Sequence, residues 1–228
     1  MSKQPYITPE VVDTYEDRYI HHPKVKREIA FELSLIEAKM LDKTSWCDVA
    51  CGTAYHLRKA VGDFSRTGLD RSDMMMAKHK RVTKYNVDYI WADMLDYTPT
   101  VQYDLVSNFW FGYAHQETLD QVLQFFNKMV ELTKQGGSIV ISYHNQWNIF
   151  DKIPLHTNEP MGGAFNFEAM MWSYEEPDVP GSLYKCIVPH KELIIQTFEP
   201  YFESVTIIHY PPNSEAGGKE ILLLEGKH

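Results

Sequence analysis

The sequence predicts a doubly wound α/β fold built on a mostly parallel, seven-stranded sheet with an antiparallel last strand. Three observations predict it. First, apolar runs at 45–50, 66–70, 88–92, 103–109 and 137–143 alternate with helical patterns at 54–61, 73–81 and 116–134; strands separated by helices read as a parallel sheet covered on both faces. Second, Trp46-Cys47-Asp48-Val49-Ala50 runs through the small-residue loop Cys51-Gly52-Thr53-Ala54 directly into a helical pattern, the layout of a strand, a tight turn and a helix. Third, Ser204–Tyr210 and Glu220–Glu225 flank a segment holding Pro211, Pro212, Gly217 and Gly218. Turn formers between two apolar runs make them an antiparallel pair that completes the sheet.

The remaining elements follow in order. Residues 1–44 read as a helical N-terminal cap. Thr8-Pro9-Glu10 has a capping hydroxyl followed by proline at the first helical position, and Ile29, Leu33, Leu35, Ile36 and Met40 form an apolar stripe. Residues 45–145 are the core. Beyond them the periodicity changes: Phe165, Phe167, Ala169 and Met171 alternate as in a strand, Ser182–Val188 is a second strand, and the turn-rich Glu175–Gly181 lies between. This predicts an inserted antiparallel strand pair within 146–188, followed by a helix at 189–199 and the terminal pair within 189–228. All of 1–228 reads as one domain.

Composition narrows the function classes. The 228 residues are 44% hydrophobic and carry a formal charge of -9, which supports a sizeable core and argues against nucleic acid or an anionic membrane as partner. The densest basic run, Lys78-His79-Lys80-Arg81, reads as a solvated helix face. Cys47, Cys51 and Cys186 lack the spacing of a zinc site and read as reduced structural thiols, so no metal is expected. The N-terminus has no apolar signal region, and no apolar run approaches the roughly 18 residues of a membrane span. A cytoplasmic protein is expected, with a homodimer left open.

The strand ends carry the functional signal. The first three strands end at Asp48, Asp70 and Asp93. An acid about 20 residues beyond a strand–loop–helix turn is the arrangement that takes ribose hydroxyls. Asp48 departs from a dinucleotide site, because a carboxylate repels the pyrophosphate that would lie there. It attracts a cation, so the expected ligand is an adenosine bearing positive charge. A single aspartate at a strand end is as readily a helix cap; three in succession form the stronger signal.

At this point Asp48-Val49-Ala50-Cys51-Gly52-Thr53 resembles the first motif of the class I S-adenosylmethionine (SAM) methyltransferases, and Gly68-Leu69-Asp70 their second. The resemblance continues through Ala92-Asp93-Met94, Tyr103-Asp104-Leu105-Val106 and Gly136-Gly137-Ser138-Ile139-Val140, covering roughly residues 45–145. Ala54 stands where the family usually has a second glycine. The resemblance implies a Rossmann-like fold with SAM as cofactor and S-adenosylhomocysteine as product. It places Asp48 at the methionine ammonium and the backbone of Ala50, Gly52 and Thr53 against the ligand. Asp70 takes the ribose hydroxyls, Asp93 the adenine amino group and the Met94 amide a ring nitrogen. Met75 packs near adenine, Tyr19, Arg71 and Asn108 complete the cofactor set, and Tyr15 folds over the reacting centre. The methionines at 74–76 and the tyrosines at 15 and 19 are equally ordinary packing residues.

Methyl transfer needs a base only when the nucleophile must lose a proton, and His suits that task. His115 and His144 follow the fourth and fifth strands and are the catalytic candidates among ten histidines. Phe109, Trp110, Tyr113 and Trp147, together with Phe111, Phe165, Phe167 and Trp172, are candidates to line an acceptor pocket, although about half read equally as core. The fourth strand lacks the Asp/Asn-Pro-Pro-aromatic sequence of DNA amino-methyltransferases, and no metal constellation of the catechol type is present. The helical N-terminus and the inserted strands resemble small-molecule N- and O-methyltransferases, including sugar N-methyltransferases. The expected function is therefore methylation of N or O on a small metabolite. The alternatives are a non-catalytic SAM- or nucleotide-binding protein and, more distantly, an NAD-dependent oxidoreductase.

Overall fold

The computed structural model describes residues 9–79, 85–144, 164–166, 170–175, 183–212 and 219–228. At the N-terminus, α1 (Pro9–Tyr15) runs through a π-helical turn (Glu16–Ile20) into α2 (Pro23–Lys39). Pro23 at the first position of α2 supplies a helical φ without removing an intrahelical hydrogen bond. The sheet then forms from β1 (Ser45–Val49), β2 (Ser65–Asp70), β3 (Asp88–Trp91), β4 (Tyr103–Asn108) and β5 (Thr133–His144), with α3 (Tyr55–Lys59), α4 (Asp73–His79) and α5 (Leu119–Leu132) between them. After β6 (Ala164–Asn166), β7 (Met171–Glu175) and β8 (Leu183–Ile187), α6 (Lys191–Phe198) leads to β9 (Phe202–His209) and β10 (Lys219–Lys227).

The seven-stranded sheet has the order β3-β2-β1-β4-β5-β10-β9. Its first five strands are parallel, and β10 is antiparallel to both β5 and β9. Strand order reverses between β1 and β4, and a crevice at such a point receives the ligands of open α/β sheets. Alternate residues feed opposite cores. Val106, Ile139, Ile141 and Leu222 pack with Phe125, Phe126 and Phe198 of α5 and α6 on one face. Leu105, Val140, Ile221 and Leu223 pack with Ile36 and Leu57 of α2 and α3 on the other. Burial on both faces is why the strands read as nearly continuous apolar runs.

The structure adjusts several boundaries. The helix expected at 54–61 contracts to α3, because Ala60 takes an extended ψ of 135°. The helix expected at 116–134 begins at Leu119, where the Thr118 hydroxyl accepts the Gln121 amide at 3.2 Å, and a separate 3-10 turn covers Gly112–His115. Strand β5 starts at Thr133 rather than 137, with an irregularity in its pairing to β4. The period-two run 164–174 is two strands: β6 and β7 pair antiparallel, and β7 pairs antiparallel with β8. The inserted pair thus gains a third strand. Within α2, Leu33 and Leu35 are only partly buried, while Glu28 and Glu32 are fully buried.

Candidate active site

Strands β1, β2 and β3 bring Asp48, Asp70 and Asp93 into the lining of one cleft with about 1020 Å³ of empty space. Ala50, Gly52, Thr53, Arg71, Met75 and Met94 line the same cleft, as does Tyr15 from the N-terminal segment.

Asp48 is 2% exposed. Its Oδ1 accepts the Ser107 hydroxyl at 2.6 Å, and Ser107 in turn accepts the Trp46 indole N–H at 2.8 Å. Burial pushes the Asp48 carboxyl up to about 6; His56 and the Ser107 hydrogen bond oppose that rise, while Glu32 and Asp70 add to it. Asp70 accepts the Gly52 amide at 2.7 Å on one oxygen and the Ser72 amide at 2.7 Å on the other. Burial also raises its pKa, against the pull of those amides. Asp93 accepts the Leu95 amide at 3.0 Å and lies 3.7 Å from the Arg71 guanidinium. A carboxylate oxygen has lone pairs beyond these contacts, so all three acids are pinned yet keep acceptor capacity.

The loop after β1 alternates into the left-handed region at Ala50 (φ 52), Gly52 (φ 54) and Ala54 (φ 55). At Ala54 a residue other than glycine holds the left-handed conformation. It costs a non-glycine residue about 1–2 kcal/mol, and the buried methyl offsets part of that by packing in the core with Leu57. The turn after β4 rests directly on this loop: a Cβ on Gly112 would come 2.4 Å from the Ala50 Cβ. Two further left-handed residues, Trp110 (φ 56) and Phe111 (φ 60), open that turn. Such strain persists only where surroundings over-determine it. Here the Trp110 amide donates to the Ser142 hydroxyl at 2.7 Å, its indole N–H donates to Glu32 at 3.3 Å, and the Lys219 ammonium lies 5.8 and 5.7 Å from the Trp110 and Phe111 ring centroids.

A second cavity, with about 420 Å³ of empty space, adjoins the cleft. Phe111, Tyr113, His144 and Trp172 line it, and Trp110 and His115 line both cavities. His115 lies at the end of the 3-10 turn with Nδ1 3.8 Å from the Cys186 Sγ of β8. Burial and, secondarily, the charge of Arg71 bring its imidazole down to about 4, so it is neutral at physiological pH. His144 stacks on Phe111 (3.8 Å between centroids) and meets Trp172 edge-on at 5.8 Å. It borders the second cavity and is absent from the lining of the cleft.

Some expected positions have other surroundings. The Asn108 amide is fully buried, donating to the Val49 carbonyl at 2.7 Å and accepting the Tyr113 amide at 3.4 Å. It braces the strand ends and is absent from the lining of the cleft. Tyr19 also stands outside the lining, its ring 5.3 Å from that of Tyr15. Phe109 does line the cleft, stacked at 4.6 Å on His56. Trp147 and Phe167 lie outside the described residues.

Sequence reasoning missed a buried polar network behind the cleft. Glu32, fully buried, contacts His56 Nε2 at 2.8 Å and accepts the Tyr210 hydroxyl as well as the Trp110 indole. Glu28 accepts the Lys219 ammonium at 2.9 Å. A signal existed: Glu28, Glu32 and Ile36 of α2 and Met40 just past its end recur every fourth residue, which puts both acids on its buried stripe. Among the described residues no cluster of His, Cys, Asp and Glu is arranged to hold a metal ion, and no helix is long and apolar enough to cross a membrane.

Comparison with known proteins agrees with this architecture. Residues 47–137 match the family model described as a methyltransferase domain. Malonyl-[acyl-carrier protein] O-methyltransferase 1 of Ilyobacter polytropus is 25% identical over 188 residues, which cover 79% of this chain and 68% of that protein. The CcbJ methyltransferase from Streptomyces caelestis shares the fold over 100% of both chains, with a TM-score of 0.73 at 12% identity. A SAM-bound amino pentose methyltransferase from Micromonospora echinaspora does so over 95% of this chain and 97% of its own, with a TM-score of 0.63 at 16% identity. Sheet order, strand-end acids and these matches define a Rossmann-like class I methyltransferase fold. Residues 47–137 thus match a methyltransferase domain, and the fold of the whole chain is shared with solved class I SAM-dependent methyltransferases.

Proposed function

We propose that this chain binds SAM and transfers its methyl group to an N or O nucleophile of a small molecule. The observation that carries this reading is the shared wall: the acid-lined cleft and the aromatic cavity have Trp110 and His115 in common. A donor nucleoside in one and an acceptor in the other would meet at those two side chains. The cleft suits a cationic adenosine, since Asp48, Asp70 and Asp93 all present acceptors and the Arg71 guanidinium already faces Asp93.

Bound SAM would supply a methyl group on a positively charged sulfur that leaves as a neutral thioether. The chain's own work is placement. Asp70, held by two amides, accepts from the ribose hydroxyls; Asp48 faces the ammonium; Asp93 and the Met94 amide address the adenine edge. Holding nucleophile and methyl about 3–3.5 Å apart in line accounts for much of such catalysis. His115, neutral and at the junction, takes a proton from an acceptor that must lose one, and the aromatic walls exclude water.

Release of S-adenosylhomocysteine on presenting a panel of amines, phenols and sugars tests the reading, with calorimetric titration of SAM as its first step; absence of SAM binding by folded protein overturns it. Asp70→Ala is expected to weaken SAM binding by about 1.5–3 kcal/mol, the scale of a hydrogen bond to a charged group. An unchanged titration would remove Asp70 from the ribose. His115→Ala is expected to lower kcat by about 10²-fold or more, the lower range for a positioned acid–base group, with SAM affinity nearly unchanged. Because the imidazole titrates near 4, the wild-type kcat should show no acid limb from His115 between pH 6 and 7; such a limb that disappears in His115→Ala would contradict the buried, neutral histidine.

A further inference from the structure

We propose that the second cavity takes a neutral, flat aromatic acceptor bearing a hydroxyl group, in preference to an ammonium or a carboxylate. The proposal rests on the methyltransferase reading and narrows its substrate class. The walls are flat: Phe111 and His144 stack with an interplanar angle of 21°, and Trp172 stands at 81° to His144. Such a corner offers a guest ring both face-to-face and edge-to-face contact. Tyr113, Ala114, Cys186 and Val188 complete the described lining, and none carries formal charge at neutral pH. His115 adds no charge, because burial holds it neutral.

Among the described residues, the cations beside these walls are already matched: the Arg71 guanidinium, which donates to the His115 carbonyl at 3.3 Å, faces Asp93 at 3.7 Å. The Lys219 ammonium pairs with Glu28 at 2.9 Å and lies against the Trp110 and Phe111 rings. A cationic guest would find that cation–π position taken and meet a like charge. An anionic guest would lose its water, while the Arg71 and Lys219 cations beside the described walls are already paired. A buried ion without a partner is heavily penalised, whereas a hydroxyl needs one acceptor, and His115 provides it. The malonyl-[acyl-carrier protein] O-methyltransferase and the amino pentose methyltransferase are named for other acceptors, so this cavity would set the present chain apart.

The step balances simply. The hydroxyl oxygen attacks the methyl carbon as the carbon–sulfur bond breaks and its electron pair passes to sulfur. The hydroxyl proton goes to the His115 imidazole and then to solvent. The products are an aryl methyl ether and S-adenosylhomocysteine.

The test uses one ring with three charges: 2-naphthol, protonated 2-(aminomethyl)naphthalene and 2-naphthoate, titrated into protein saturated with S-adenosylhomocysteine and followed by calorimetry. Naphthol is expected to bind at least about tenfold tighter than either ion. Trp172→Ala should weaken binding of all three by removing a wall their shared ring packs against, while leaving S-adenosylhomocysteine affinity unchanged. Val188→Asp, which plants a carboxylate in the wall, should invert the order in favour of the ammonium. Equal or tighter binding of either ion to the wild type, or no saturable naphthol binding, overturns the proposal. If S-adenosylhomocysteine itself fails to bind, the methyltransferase reading falls instead, and the naphthyl order is still measurable in cofactor-free protein.

Discussion

Replacing Glu32 with alanine is expected to destabilise the protein by about 3–5 kcal/mol, the range for breaking a buried charged pair from one side. Glu32 is fully buried on α2 and receives His56, Tyr210 and Trp110 from three other parts of the chain. Burial alone would raise its pKa, but the hydrogen bond and charge of His56, then Tyr210 and Lys219, bring it below the ordinary glutamate range. The carboxylate therefore contributes stability that is present above that range and lost as pH falls through its folded pKa. Urea unfolding at pH 7 should show the full difference between wild type and Glu32→Ala, and the difference should shrink below about pH 4. Glu32→Gln keeps an acceptor and should fall between the two. The same change frees the ring of His56 and the indole of Trp110, both in the wall of the cleft, so cofactor affinity should fall along with stability. A loss under about 1 kcal/mol would place the Glu32 contacts among the weak hydrogen bonds of ordinary surfaces.

That network also shows where the sequence was legible and where it was not. Most of the parallel strands could be read because burial on both faces makes them short apolar runs, the edge strand β3 being only partly buried, and each of the first three has an acid at or just past its end. The pairing of β6 with β7 could not be read, because residues 167–170 between them include neither glycine nor proline. Met170 takes a φ of 49, and in the sequence Phe165, Phe167 and Met171 alternate without a turn former among them. The early start of β5 was hidden by Gly136 and Gly137, which weaken a strand signal.

Side-chain direction was the harder limit. Asn108 and Asp48 are both polar residues of neighbouring strands, yet Asn108 turns inward to the Val49 carbonyl while Asp48 reaches the cleft. His115 and His144 both follow strand ends, yet only His115 belongs to both cavities. Strand position assigns a neighbourhood; which partner a side chain meets depends on contacts distant in sequence, such as Ser107 with Asp48. Glu28 and Glu32 were legible in spacing but run against the expectation that a buried stripe is apolar. Their partners Lys219, His56 and Tyr210 come from remote segments.

Asp48→Asn is expected to move stability and cofactor binding in opposite directions. The Asp48 carboxyl titrates near 6 in the folded chain, against an ordinary value of 3.8. A folded-state pKa above the unfolded one means that the folded chain favours the protonated acid. That preference is fully present below the ordinary value and is lost as pH rises through 6. Above both values the native state holds a desolvated carboxylate at a cost of about 3 kcal/mol. Asparagine removes the charge and keeps an oxygen to accept the Ser107 hydroxyl, so the variant should exceed wild type by about 3 kcal/mol in urea unfolding at pH 8 and by almost nothing near pH 3.5. SAM binding should respond in the reverse sense. Wild-type affinity should climb as pH passes 6 and the carboxylate ionises to face the ligand's positive charge, while the variant's affinity should be weaker and flat across that window. If Asp48→Asn proved less stable than wild type at pH 8, the acid would be a structural anchor. If it were more stable yet bound SAM with unchanged affinity and pH dependence, the buried charge would have no partner in the ligand, and the cation-seeking cleft would lose its principal acid. A negative charge kept dry at the end of β1 works against the empty fold and is explained by an incoming cation that stabilises it.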